Sequence, residues 1–361
     1  MKRILKKSIF PIALISTLIQ IPMVNACTRA LYAGDSNTVI TGRTMDWMED
    51  MASDLWLFPR GIERRGEAGP DSLKWISKYG SVVASVYGIA SADGMNEEGL
   101  VMNMLYLAES DYGKSEASHT PMAISVWGQY VLDNFATVSE ALSSMEEKPF
   151  FLIAPTLPNG AKGQVHLSLS DSSGDSAIIE YIKGKQIIHH GKEFKVMTNS
   201  PTYSKQLALN EYWHEIGGEV FLPGTSRAAD RFARASFYIN SIPKNVDTAY
   251  IKSVPGQSLE NQAVASVLSV MRAVSVPFGI AIPNQPNIAS TLWRTVSDQK
   301  NKIYYFDSST RPNTFWVSFN QLNFSQGAAV QKLALAEGQV YSGEVAKQFK
   351  PEQSFKFMPA S

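Results

Sequence analysis

Cysteine is nearly missing from this chain: 361 residues contain one, Cys27. A single thiol excludes an intrachain disulfide framework and any zinc or iron–sulfur site built on several cysteines. Net charge is missing too, since 33 basic residues stand against 33 acidic ones. No basic footprint for a nucleic acid or another polyanion is present, and charged residues, at 18%, are too few for a disordered chain. Long apolar runs are also lacking. The longest, Ile9 to Ile21, has 13 residues where a spanning helix needs about 20, and the apolar stretch Val264 to Val274 is interrupted by Arg272. Histidine is scarce, with five residues in no metal-ligand spacing, and His189-His190 on a strand would point to opposite faces. No metal or other cofactor is therefore expected. Repeats, low-complexity tracts and linkers do not appear. What remains is a chain long enough for a substantial core, with one thiol to explain.

The first 26 residues read as an export signal. Lys2, Arg3, Lys6 and Lys7 form a basic start, the apolar run follows, Pro22 breaks it, and Val24-Asn25-Ala26 supplies short residues at a cleavage point. Their removal leaves residues 27–361 as a single domain with 29 basic and 33 acidic residues, expected in a bacterial periplasm or secreted, with no stable membrane insertion. Cleavage after Ala26 would make the only cysteine the first residue, with a free α-amine beside its thiol. Such a residue can act as an N-terminal nucleophile, the thiol attacking a carbonyl and the amine accepting and returning the proton. Three other readings stand beside it: a buried structural cysteine, a lipoprotein acylated at this residue, and an exported binding protein with no catalysis.

Downstream patterning is strand-rich. Short runs at Arg29 to Tyr32 and Thr38 to Arg43 flank Ala33-Gly34-Asp35-Ser36, a hairpin signal that returns Arg43 and Asp46 to the neighbourhood of Cys27. Further strands are expected at Ser81 to Tyr87 and Leu100 to Leu107, with Asp93-Gly94 as the turn between them. Helical spacing marks Pro121 to Phe135 and Thr137 to Met145. Strands follow at Val165 to Leu169, Ala177 to Tyr181, Gln186 to His190 and Phe194 to Thr198. Helices are expected at Ala228 to Ile242 and Gln262 to Val274, and closing strands at Leu292 to Ser297, Lys302 to Phe306 and Thr314 to Phe319. This succession predicts an α+β layered domain rather than a parallel βαβ fold.

Five motifs carry a family resemblance: Cys27-Thr28-Arg29, Gly42-Arg43-Thr44-Met45-Asp46-Trp47, Asp93-Gly94-Met95-Asn96-Glu97-Glu98-Gly99-Leu100, Thr198-Asn199-Ser200-Pro201 and Arg231-Phe232-Ala233-Arg234. In order and spacing the chain resembles the choloylglycine hydrolase family, the penicillin V acylases and conjugated bile-salt hydrolases, which are cysteine N-terminal-nucleophile hydrolases. The resemblance runs from Cys27 to about Phe319. It implies a four-layer αββα sandwich, two antiparallel sheets between helix layers, and hydrolysis of a linear, non-peptide amide in a small molecule through a thioester on Cys27.

Role by role, the resemblance makes Arg43 the cation beside the thiol and Asp46 the carboxylate that orients the α-amine. Asn199 becomes the side-chain oxyanion donor, a role worth roughly 3 kcal/mol, and Arg231 the second arginine of the site. Arg234 is the structural one of that pair. Tyr106 stands where penicillin V acylases carry tyrosine and many bile-salt hydrolases asparagine; its backbone N–H is the second oxyanion donor and its ring lines the acyl pocket. Trp47 and Tyr87 are further aromatic candidates for that pocket, or simply core. The resemblance implies a homo-oligomer, a tetramer in the family, although the short interval from Asn199 to Arg231 puts the usual tetramer contacts in doubt. Penicillin V and acyl-homoserine lactones rank ahead of conjugated bile salts as substrates. A papain-like Cys–His site using His119, His166 or His214 is the rival chemistry.

Overall fold

Period-two alternation dominates the chain from Cys27 onward, and two sheets result. The computed structural model describes residues 27–114, 119–147, 149–160, 162–281 and 289–360; the signal read at 1–26 lies outside the described residues. The chain begins with β1 (Thr28–Ala33), β2 (Val39–Trp47), β3 (Leu55–Phe58), the small hairpin β4 (Glu63–Arg65) and β5 (Lys74–Ile76), β6 (Ser81–Val86), β7 (Ala90–Asn96) and β8 (Val101–Tyr106). Next come β9 (Thr120–Ala123), α1 (Ile124–Asn134), α2 (Val138–Glu147) and β10 (Phe150–Ile153). The middle of the chain forms β11 (Val165–Ser170), β12 (Ser176–Ile182), β13 (Lys185–His190), β14 (Val196–Met197), α3 (Tyr203–Ile216), α4 (Ala228–Ser241) and α5 (Leu259–Ala273). It closes with β15 (Ser290–Asp298), β16 (Ile303–Ser308), β17 (Thr314–Ser318), β18 (Gln331–Leu333), β19 (Gly343–Glu344) and β20 (Lys350–Pro351).

One sheet has seven strands in the order β14-β1-β2-β15-β16-β17-β19, the other nine in the order β13-β12-β11-β8-β7-β6-β3-β18-β20. Both are antiparallel except where the edge strand β19 joins β17. Alternation assigns the faces. Val82, Ala84, Val101 and Leu105 pack between the sheets with Met45 and Trp47, whereas Val83, Met102, Met104, Leu167 and Leu169 face Trp127 and Val131 of α1. On the far side of the first sheet, Val267 and Met271 of α5 come so close to Gly42 that a Cβ there would sit 2.7 Å from both side chains. The layers are therefore helix, sheet, sheet, helix, the α+β sandwich that the sequence resemblance implies. Each fully buried large apolar side chain in them contributes about 1.5–3 kcal/mol.

Three local expectations are corrected. Asp93-Gly94 is not a turn: both residues lie inside β7, paired with β6 and β8, and the reversal occurs at Tyr87 and Gly88, with φ of 53° and 65°. The helix expected from Pro121 starts at Ile124, because Thr120–Ala123 pairs in parallel with Phe150–Ile153. A helix, α3, occupies Tyr203–Ile216 where none was expected. It buries only Tyr203 and Gln206, so no apolar stripe marks it in the sequence.

Candidate active site

Cys27 immediately precedes β1, the strand that β2 covers in the register Thr28↔Thr44 and Arg29↔Arg43. The hairpin between them turns through Asp35–Asn37, where Ser36 and Asn37 adopt φ of 55° and 58°. Pairing then places Asp46 at the thiol: its N–H donates to Cys27 Sγ at 3.5 Å, and its carbonyl oxygen lies 3.7 Å from the same sulfur. Thr28 N–H donates to Thr44 Oγ1 at 3.0 Å and fixes the first residue after the cysteine.

Arg43 and Asp46 are three apart on one strand, so their side chains leave opposite faces of the sheet. On the inter-sheet face, Arg43 Nη2 lies 4.0 Å from Cys27 Sγ and donates to the Met104 carbonyl at 3.0 Å. Its guanidinium also sits 4.7 Å above the Trp293 ring and 3.9 Å from Asp93 Oδ2. On the helix face, Asp46 Oδ2 accepts from Thr44 Oγ1 at 3.1 Å and stands 4.0 Å from Arg231 Nη1. Asp46 Oδ1 is buried without a well-formed hydrogen bond. Both side chains are completely buried.

Arg231 reaches this face from α4, whose buried Ala228, Arg231, Phe232, Ala235 and Ile239 make one helical stripe. Its Nη1 donates to the Cys27 carbonyl and to Thr28 Oγ1, both at 2.6 Å, and Nη2 donates to Asn199 Oδ1 at 3.0 Å. That last bond settles which way the Asn199 amide points. One Nδ2 hydrogen goes to the Tyr106 carbonyl at 2.7 Å, leaving the second free to stabilise an oxyanion. Gln206 Nε2, from α3, holds the Asn199 carbonyl at 3.0 Å. Leu107 N–H bonds Gln164 of the strand beside it, so by antiparallel alternation the N–H and C=O of Tyr106 face away from β11, where the ladder to β7 has already ended. Arg234, by contrast, donates to the Pro223 and Thr225 carbonyls at 2.6 and 2.8 Å and serves the loop before α4.

Burial dominates the electrostatics of the site. Burial pushes the Cys27 thiol above its ordinary value, outweighing Arg43, the Asp46 N–H and Arg231, which all pull it down. Arg43 thus acts in the expected direction and is overridden by burial. Burial likewise raises Asp46 to about 6, against Arg231, the Thr291 and Thr44 hydroxyls and Arg43. Arg29, directly opposite Arg43, is fully buried with its guanidinium on the carbonyls of Phe194, Lys195 and Leu169, and burial lowers it to about 10.

An apolar cavity of about 100 Å³ opens at Cys27, with Met45, Met104, Trp47, Tyr87 and Tyr106 in its lining. Trp47 Nε1 donates to the Tyr87 hydroxyl at 2.7 Å, and the Trp47 and Tyr106 rings meet edge to face at 6.0 Å. The structure therefore gathers Cys27, Arg43, Asp46, Tyr106, Asn199 and Arg231 around one thiol, with Trp47 and Tyr87 at the cavity. Sequence reasoning missed Asp93, the buried carboxylate behind Arg43, which accepts from Asn103 Nδ2 at 2.6 Å and from the Tyr304 hydroxyl. Its signal was present in a motif misread as a turn. Gln206 had no signal, lying on the unanticipated helix. His166 bonds Glu180 at 3.1 Å and His214 lies on α3, while the sulfur's own contacts are Arg43, Met45 and Asp46. Among the described residues no cluster of His, Cys, Asp or Glu is placed to hold a metal, and no helix is long and apolar enough to cross a membrane.

Residues 27–332 match the family described as linear amide C–N hydrolases, choloylglycine hydrolase family. A penicillin V acylase of Pectobacterium atrosepticum is 47% identical over 99% of this chain and 98% of its own length. A bile salt hydrolase/transferase of Clostridium perfringens is 28% identical over 61% of this chain and 73% of that protein. Among solved structures, a penicillin V acylase from Agrobacterium tumefaciens superposes with a TM-score of 0.82 at 52% identity, covering 92% of this chain and 99% of that one. A conjugated bile acid hydrolase from C. perfringens shares the fold, with a TM-score of 0.69 at 20% identity, 85% of this chain and 97% of the other.

Proposed function

The chain belongs to the choloylglycine hydrolase family of linear amide C–N hydrolases, and from that premise we propose that Cys27, freed as the N-terminal residue, cleaves small amides of the penicillin V and N-acyl-homoserine lactone type. The observation that carries this reading is the placement of the thiol: in the wall of an apolar cavity, 3.5 Å from a backbone N–H and 4.0 Å from a buried arginine. Removal of residues 1–26 converts the Cys27 amide nitrogen to an amine. Asp46, whose Oδ1 has no well-formed hydrogen bond, is the carboxylate available to orient it.

In the first half-reaction the amine takes the thiol proton and sulfur adds to the amide carbonyl. The second Asn199 Nδ2 hydrogen and the Tyr106 N–H stabilise the oxyanion, and the ammonium returns the proton to the leaving nitrogen. The C–N bond breaks, leaving a thioester; water then adds and expels the thiol, so that amide and water become acid and amine. Arg231 keeps the Asn199 amide in its donating orientation, and Arg43 supports the developing thiolate.

The cavity supports this substrate rank, as does one relative. Its aromatic and thioether lining suits a flat or flexible acyl group, and the 47% identical relative is named a penicillin V acylase. Export to a periplasm or the medium fits the signal pattern of residues 1–26. A parallel hydrolysis assay of penicillin V, an acyl-homoserine lactone and a conjugated bile salt, run on the processed protein and on Cys27→Ser, tests the proposal. The first two are expected to turn over and the variant to be dead. Bile-salt turnover far above the others reverses the ranking, and activity surviving the substitution ends the mechanism. Mass measurement of the mature N-terminus separates a free cysteine from an acylated one.

A further inference from the structure

The family match stops at residue 332, yet the chain beyond it is built into the molecule. Phe355 and Phe357 are buried in the cluster that packs the second sheet on α1; the Phe355 ring lies 4.9 Å from Trp56 and 4.7 Å from Phe357. Anchored by these rings, the next residue is held from two sides. Met358 N–H donates to the Ile89 carbonyl at 2.9 Å, and its own carbonyl accepts from Ser125 Oγ at 2.5 Å. Ala360 N–H then bonds the Glu67 carbonyl at 2.8 Å. Ile89 belongs to the turn between β6 and β7 and Ser125 to the first turn of α1, so the tail is tied to two rims of the same cavity. Ile89, Ser125 and Met358 all line the apolar cavity that opens at Cys27.

We propose that Met358 is a specificity-determining residue, a wall of the acyl cavity that the C-terminal tail contributes and that sets how long an acyl group the site accepts. The inference rests on the amide-hydrolase reading of Cys27. Methionine suits the place because an unbranched thioether adapts to both flat and flexible groups, and Met45, Met51 and Met104 line the same cavity. In a cavity of about 100 Å³ the volume added or removed at one side chain is a large share of the space. A misfit of a single methylene in such a pocket changes kcat/KM by about tenfold or more.

The test uses amides that share one amine while the acyl chain grows a methylene at a time, on the processed protein and on Met358→Ala, Met358→Leu and Met358→Trp. Met358→Ala is expected to move the optimum to longer chains, raising kcat/KM for the longest relative to the shortest by about tenfold. Met358→Trp should move it the other way, and Met358→Leu should keep the original profile. Affinities of the matching free carboxylic acids are measured alongside and need no turnover. If those affinities shift as stated while no amide is cleaved, the wall stands and the reaction reading falls. If both size changes scale every chain length by one factor in both measurements, the inference is overturned. Thermal melting shows whether Met358→Trp folds; if it does not, the Met358→Ala profile decides.

Discussion

Asn199 shows how far a single residue's role depends on its neighbours. Arg231 takes its Oδ1, the Tyr106 carbonyl takes one Nδ2 hydrogen, and one donor is left over. Asn199→Ala is therefore expected to lower kcat by about 10²–10³ with little change in KM, as measured by steady-state kinetics. A loss confined to KM means the amide binds substrate rather than its transition state. Asp46 permits a prediction in pH. Its carboxyl is raised from 3.8 to about 6 by burial, so the folded chain holds this proton more readily than the unfolded one and the stability it contributes falls as pH rises through that window. In a chain that keeps a residue ahead of Cys27, the melting temperature of Asp46→Asn relative to the wild type should climb as pH passes from 3.8 to 6. A difference that stays flat shows the carboxyl ionises as it does in water.

At the scale of elements, strand β7 carries the clearest lesson. Asp-Gly is a strong turn signal in sequence, yet here both residues serve a central strand: Asp93 faces Arg43 across the sandwich, and Gly94 makes room. A Cβ on Gly94 would stand 2.7 Å from Val83 Cγ1, 2.8 Å from the Val82 carbonyl and 3.1 Å from Leu132 of α1. Gly94→Ala should therefore destabilise the protein by about 1–3 kcal/mol in urea unfolding, through overpacking between sheet and helix. An unchanged midpoint would show that β6 and α1 both give way freely. The next turn, from β7 to β8 beside Gly99, is dictated by the same motif, because Asn96 Oδ1 accepts from the Glu98 and Leu100 N–H groups and its Nδ2 donates to the Leu132 and Phe135 carbonyls. Helix α3 fails to announce itself for the opposite reason. It buries two residues, and its value to the site lies in Gln206 reaching back to Asn199.

At the scale of the whole molecule the prediction concerns processing. A chain that keeps one extra residue before Cys27 should show no turnover even where its thermal melt shows it folded, because its nitrogen is an amide that cannot accept the thiol proton. Full activity in that form rules out the N-terminal-nucleophile mechanism. Sequence by itself determined much of this protein: a lone cysteine after a signal pattern, a hairpin that brings Arg43 and Asp46 back to it, and strand alternation that yields two sheets. Those features are local, governed by periods of two residues and by spacing along a single stretch of chain. Only the tertiary structure decided that Arg231, 204 positions away, clamps the Cys27 carbonyl, that Asp93 backs Arg43, and that burial outweighs the arginines at the thiol. Met358 entered the cavity wall in the same way. Such placements depend on which strands become neighbours and how deeply each group is desolvated, and both are properties of the packed chain rather than of any segment within it.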